Sequence, residues 1–231
     1  MPHQKFANPQ YPQVTVWDLP TRLWHWALFL LLCFSVFSGL AGSITLMDWH
    51  LMSGYGLLVL LLFRLIWGFW GSSASRFQSY RDAWTRPQTG PVAHTRPGVL
   101  MLAGMLALLL LQTTSGLFAT DDLFTDGPLN NYVSDTTASR LSWFHNRNFW
   151  LILALAAVHV LAIAYYGVWR KDPLAMSMFN GRKSVATATG KMAAESDTSE
   201  LVSLSHPQLW WRALASLAIA TTAVWALLTW F

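Results

Sequence analysis

Five long apolar stretches alternate with polar segments along the chain. They cover residues 24–43, 50–71, 98–118, 147–169 and 209–231. A helix needs about 20 residues to cross the roughly 30 Å hydrocarbon core of a membrane, and each stretch is long enough. The pattern therefore predicts five transmembrane helices.

A polar segment separates the fifth stretch from the other four. Residues 184–205 are small and polar and have no apolar period, which is typical of a flexible linker. The sequence thus predicts a four-helix domain at 1–183, a linker at 184–208 and a C-terminal transmembrane helix at 209–231.

Composition supports this interpretation. The chain has 231 residues, of which 54% are hydrophobic and 11% are charged, and a soluble domain of this size needs far more surface charge. The predicted fold class is an all-α integral membrane protein, a four-helix bundle with a fifth C-terminal helix. Cys33 is the single cysteine, so an intrachain disulfide and a cysteine-ligated cluster are excluded. The C-x-x-C-H motif of covalent c-type haem is also absent from the sequence.

Loop charges predict the orientation. Loop 72–97 has four Arg and one Asp, loop 119–146 has four Asp and one Arg, and a short predicted turn at 44–49 has only Asp48. By the positive-inside rule, the N-terminus and the basic loops are cytoplasmic. We therefore expect a multi-pass membrane protein with a cytoplasmic N-terminus. The net charge is +4, but the charged residues lie between the apolar stretches and not on one basic face, so no nucleic-acid partner is expected.

Four of the seven histidines lie in or at the ends of predicted spans. His25 is at the cytoplasmic start of the first span, and His50 is at the opposite start of the second. His145 and His159 lie 14 residues apart in the fourth span, about 21 Å and close to four helical turns, so they face nearly the same side. By depth, His25 matches His159 and His50 matches His145.

Two histidine pairs at two depths predict two bis-histidine b-type haems, because neutral imidazole binds iron and two axial histidines fill both open positions. Arg22 and Arg64 are candidate partners for the haem propionates, because arginine binds carboxylates in a bidentate manner. Other roles stay open at this point. An intramembrane histidine can be a packing residue or a proton relay, and Arg64 can extend to the lipid headgroups.

The residues around these histidines form a recognisable combination. They are Val16, Trp17, Asp18, Arg22, His25, Trp26, His50, Gly54, Phe63, Arg64, Trp67, Gly68, Leu117, Phe118, Asp121, Asp122, Gly127, Pro128, Leu129, His145, His159, Asn180, Gly181, Arg182 and Lys183. Over residues 14–183 the chain resembles the prokaryotic cytochrome b561 and nickel–iron hydrogenase b-type cytochrome family. The segment 93–98, Ala-His-Thr-Arg-Pro-Gly, departs from the family's Gly-His-Asn-Pro-x-Gly, so His94 is given no role.

The resemblance implies a four-helix protein that binds haem b through His25, His50, His145 and His159. It also implies electron exchange in a respiratory chain of the bacterial inner membrane, between quinone or quinol and a periplasmic cytochrome c or hydrogenase-type partner. A homodimer is left open, and no catalytic residue is predicted. Two alternatives are a stand-alone superoxide:quinone oxidoreductase and a haem-free proton-coupled transporter. The acidic face opposite the cytoplasm suits a basic redox protein better than anionic superoxide.

Overall fold

A computed structural model describes residues 13–85, 95–121, 125–169, 174–184 and 207–230. Its helices are α1 (Leu19–Ala41), α2 (Ile44–Trp70), α3 (Phe77–Thr85), α4 (Arg96–Gly116), α5 (Asp135–Val168), α6 (Leu174–Asn180) and α7 (Pro207–Trp230). A 3-10 turn spans Asn130–Tyr132, and the strands β1 (Gln13–Thr15) and β2 (Arg182–Ser184) form one short antiparallel pair. Five helices, α1, α2, α4, α5 and α7, are long and apolar enough to cross a membrane. The prediction of an all-α membrane protein is confirmed.

The turn between α1 and α2 is shorter than the sequence predicted. α1 ends at Ala41 and is capped by Gly42, whose φ of 60° is left-handed, and Ser43 then caps α2 by accepting from the Leu46 amide. Glycine adopts this conformation without a side-chain clash, so the chain reverses in two residues. The predicted turn at 44–49 is therefore wrong, and Asp48 lies on the first turns of α2.

α5 begins well before its apolar stretch. Its 34 residues correspond to about 51 Å, which exceeds the hydrocarbon thickness. Ser134 caps the helix by accepting from the Thr137 amide, and the polar first turns extend beyond the apolar part. His145 therefore sits inside a continuous helix.

The four-helix part consists of two antiparallel helix pairs. α1 packs along α2 and α4 packs along α5, and the pairs are joined mainly where α2 meets α4. α1 and α5 are not extensively packed on each other. The buried core at the junction includes Leu61 and Trp67 of α2, Leu109 of α4 and Ile152 of α5. A cleft is left between α1–α2 and α4–α5.

The fifth membrane helix packs on α2. Its contact face carries small residues, Ala213, Ser216 and Ala220, which are buried. The Trp70 indole donates to the Ser216 hydroxyl at 2.8 Å, and an Arg212 terminal nitrogen donates to the Trp70 carbonyl at 3.3 Å. The predicted linker at 184–208 lies almost entirely outside the described residues, as does His94.

Two ends of the bundle are distinguished here. The end where α1 begins and α2 ends is called the His25 end, and the end where α1 turns into α2 is called the His50 end. At the His25 end, the β1–β2 pair joins the segment before α1 to the segment after α6. The Val16 amide donates to the Gly181 carbonyl at 2.8 Å, and Gly181 has a left-handed φ of 76°.

Candidate functional site

His50 and His145 face each other across the cleft at the His50 end. Their ring centres are 6.2 Å apart and their planes are 85° to each other. Two metal–nitrogen bonds of about 2 Å, with about 1 Å from each nitrogen to its ring centre, add up to about 6 Å. At this separation both imidazoles could hold one metal ion between them.

Each of these imidazoles is oriented by a backbone carbonyl. His50 Nδ1 lies 2.8 Å from the Ser35 carbonyl oxygen, and His145 Nδ1 lies 3.0 Å from the Gln112 carbonyl oxygen. A carbonyl only accepts, so both Nδ1 atoms carry the proton in the neutral rings. Nε2 is then the unprotonated nitrogen available to a metal.

A glycine lets each ring approach the helix that supplies its carbonyl. A Cβ at Gly39 would lie 2.9 Å from His50 Cε1, and a Cβ at Gly116 would lie 2.9 Å from His145 Cε1. Real Cβ atoms essentially never approach so closely. Any other residue at either position would displace the ring.

Each ring lies in a groove beside its glycine, and the two grooves have the same hydrogen-bond arrangement. In each, the hydroxyl of the serine before the glycine donates to the carbonyl that orients the histidine. Ser38 donates to Ser35 at 3.1 Å, and Ser115 donates to Gln112 at 3.0 Å. The sequence did not predict a role for these serine hydroxyls, although the Ser-Gly pairs at 38–39 and 115–116 are visible in it.

A cavity of about 290 Å³ lies beside the paired rings. Both imidazoles, both glycines and apolar side chains such as Ile152 line it. It extends to the loop after α4, where Thr120 and Thr125 contribute to its wall. Two neutral imidazoles, a glycine-lined groove on each side and an adjoining cavity together fit a haem.

His25 and His159 form the second group, at the His25 end. They lie close enough to interact electrostatically. The His25 ring makes an edge contact with Trp26 at 5.3 Å. Its Nδ1 atom is buried and has no hydrogen-bond partner in the described part of the chain. The structure thus brings His50 near His145 and His25 near His159.

Arg22 and Arg64 both lie at the His25 end. Arg22 donates through Nη1 to the Phe179 carbonyl at 2.5 Å and packs over Gly181. Its Nε atom is buried and, within the described residues, has no partner.

Arg64 is buried, with 2% of its surface exposed, so its guanidinium is surrounded by protein. Its terminal nitrogens donate to the Ser75 carbonyl at 3.1 Å and to the Tyr80 hydroxyl at 2.5 Å, while Nε has no partner among the described residues. Burial raises the pKa of Tyr80, and the adjacent Arg64 charge partly opposes this rise.

The His25 end contains a buried carboxylate, that of Asp18. Asp18 caps α1 by accepting from the Thr21 amide at 2.7 Å, and it also accepts from the Ser72 and Ser75 hydroxyls. These contacts join the start of α1 to the segment after α2. Because the backbone carbonyl of Ser75 accepts from Arg64, the Asp18 carboxylate and the Arg64 guanidinium are linked through Ser75.

A family model described as prokaryotic cytochrome b561 matches residues 16–181. The chain belongs to this family. It is a multi-pass bacterial membrane protein and a b-type cytochrome that transfers electrons. The match includes the four helices of the histidine cleft and ends before α7. No curated protein and no solved structure matches this cytochrome.

Proposed function

We propose that this cytochrome carries electrons through two bis-histidine b haems between the quinone pool and a periplasmic redox partner. The observation that carries the proposal is the opposed pair His50 and His145, with centres 6.2 Å apart and both Nδ1 atoms on carbonyls. His50 and His145 would hold one haem, and His25 and His159 would hold the other.

The haem, when bound, would supply a one-electron iron couple, and an iron held by two histidines would have no position left for oxygen. The residues of the chain would hold that group. The carbonyls of Ser35 and Gln112 fix the rotation of two ligand rings, and Gly39 and Gly116 leave room for those rings.

Arg22 and Arg64 are the proposed contacts of the propionates at the His25 end. Each keeps one buried Nε–H donor without a partner in the described residues, and a buried unpaired donor is costly in a membrane protein. A propionate oxygen would satisfy such a donor. Arg22 suits this role better because Arg64 already uses both terminal nitrogens within the protein.

The His25 end is proposed to face the cytoplasm and the His50 end the periplasm. Loop charge supports this orientation, since Arg76, Arg81 and Arg96 lie at the His25 end and Asp121, Asp126 and Asp135 lie at the other. The acidic end would then meet a basic periplasmic cytochrome c or hydrogenase-type protein, and quinone would complete the respiratory path.

The test is a reduced-minus-oxidised visible spectrum of the purified full-length chain, with haem and protein quantified on the same sample. We expect two low-spin b haems per chain. One haem or none per chain would contradict the proposal, and a spectrum without haem would favour the transporter.

A further inference from the structure

The two histidine pairs differ in whether the Nδ1 atom of the ring has a hydrogen-bond acceptor. At the His50 end, both Nδ1 atoms have a backbone carbonyl acceptor at 2.8–3.0 Å. At the His25 end, Nδ1 of His25 is buried without an acceptor in the described residues. His159 likewise makes no hydrogen bond within the described part of the chain.

This difference has an electronic consequence for a bound metal. An acceptor on the Nδ1 proton makes the imidazole a stronger electron donor through its other nitrogen. A stronger donor stabilises ferric iron relative to ferrous iron, so the reduction potential falls. A ligand ring without an acceptor lacks this effect.

We propose that the Ser35 and Gln112 carbonyls give the haem at the His50 end the lower reduction potential of the two. The inference rests on the proposed ligation by the four histidines. Each haem accepts one electron and changes from ferric to ferrous. A single electron shared between them therefore resides mainly on the haem of His25 and His159.

Gly39 and Gly116 are the positioning residues that make this possible. A Cβ at either position would lie 2.9 Å from Cε1 and 3.1 Å from Nδ1 of the facing ring. A helix backbone and a planar ring cannot yield as a flexible side chain does, so alanine would move the ring away from its carbonyl. The Nδ1 hydrogen bond would lengthen and the donor strength of the ring would fall.

The experiment is an anaerobic redox titration of the full-length protein, followed by the visible absorption of both haems. His50→Ala and His25→Ala identify which component belongs to which end. We expect the component that His50→Ala removes to have the lower reduction potential of the two in the wild type. Gly39→Ala and Gly116→Ala should each raise the reduction potential of that component and leave the potential of the other component unchanged. The expected change is about tenfold in the ferric-to-ferrous ratio, which is about 59 mV for one electron.

Gly104→Ala is the matched control on α4. Its Cβ would meet only the flexible Leu155 side chain, at an ordinary 3.4 Å, so neither potential should move. Equal potentials or the opposite order in the wild type, with both haems bound, would overturn the inference. So would unchanged potentials in glycine variants that keep both haems.

If the glycine variants lose the haem, the order of the two reduction potentials in the wild type alone tests the inference. A wild-type protein with fewer than two haems would instead contradict the proposed function, and this inference would fall with it. The two failures are therefore distinguishable by the haem content of the same sample.

Discussion

Each imidazole at the His50 end is held by a helix other than its own. His50 belongs to α2 but rests on Ser35 and Gly39 of α1, and His145 belongs to α5 but rests on α4. The ring orientation thus depends on the packing within each helix pair. A change in either supporting helix should alter the ligand without touching the histidine.

Replacement of single histidines should separate the two sites. His25→Ala and His159→Ala should each remove the same haem, and His50→Ala and His145→Ala the other, which leaves about one haem per chain since each iron needs both axial ligands. Redox titration distinguishes the two components. If His25→Ala and His50→Ala removed the same component, the pairing would be wrong.

Tyr80 should make the fold sensitive to alkali. Its pKa is raised by burial, so its contribution to stability is fully present below the unfolded pKa of about 10 and is lost as the pH rises through the folded pKa. Tyr80→Phe should remove this alkaline loss. It should also lower the free energy of unfolding at neutral pH by about 1.5–3 kcal/mol, because Arg64 loses an acceptor. Denaturant unfolding at a series of pH values measures both, and identical alkaline profiles would contradict the expectation.

The sequence predicts which histidines are ligands, and that assignment stays a prediction, but it does not predict the groups that orient their rings. Depth and a 14-residue interval suffice to group His25 with His159 and His50 with His145. The supports are backbone carbonyls of Ser35 and Gln112, and every residue type has a carbonyl. Only the helix packing decides which carbonyl an imidazole reaches.

At the scale of elements, hydropathy located all five membrane helices and misplaced some ends. It placed the fourth span at 147–169, whereas α5 begins at Asp135 because a capped polar helix continues beyond the hydrocarbon. Hydropathy did not predict α3 and α6, since these short helices have no long apolar run. The β1–β2 pair joins segments that are distant in sequence, which local patterns do not predict.

The packing of α7 on α2 predicts how its residues respond to substitution. Ala220 is fully buried against the bundle, and the neighbouring Ile219 is 53% exposed. Ala220→Phe should lower the free energy of unfolding by about 1–3 kcal/mol through overpacking, and Ile219→Phe should change it little. Thermal unfolding followed by circular dichroism compares the two. Equal stabilities would mean that α7 does not pack in this way.

Deletion of residues 184–231 should nevertheless leave both haems bound, because all four proposed ligands lie on α1, α2 and α5. The truncated chain must first be shown to insert in the membrane. Its haem content relative to the full chain is the measurement, and loss of either haem would place α7 within the cofactor-binding bundle.

At the scale of the whole molecule, acidic side chains predominate at the His50 end and basic side chains at the His25 end. Asp48, Asp121, Asp126 and Asp135 are exposed at the His50 end, together with Arg140 and Arg147. Asp122, also predicted there, lies outside the described residues. An acidic face of this kind accelerates association with a basic partner, and salt screens the attraction over about 8 Å at physiological ionic strength.

Asp121→Asn together with Asp126→Asn should therefore slow electron exchange with a basic cytochrome c severalfold at low salt and leave the haem spectrum intact. Asp82→Asn, at the other end of the bundle, is the matched control and should have no effect. Stopped-flow kinetics at two salt concentrations measures the rates. Rates that respond neither to salt nor to the double substitution would exclude this face as the docking site.

The cleft between the two helix pairs also bears on how long the protein survives in the cell. Since α1 and α5 are not extensively packed together, a haem held by one histidine from each side would tie the halves to each other. A chain without haem should part more readily and become a substrate for membrane proteases. In a pulse-chase experiment we expect a shorter half-life in haem-starved cells, and His25→Ala with His50→Ala should shorten it in replete cells too. Equal half-lives would refute this. The abundance of the cytochrome would then follow the haem supply without any change in transcription.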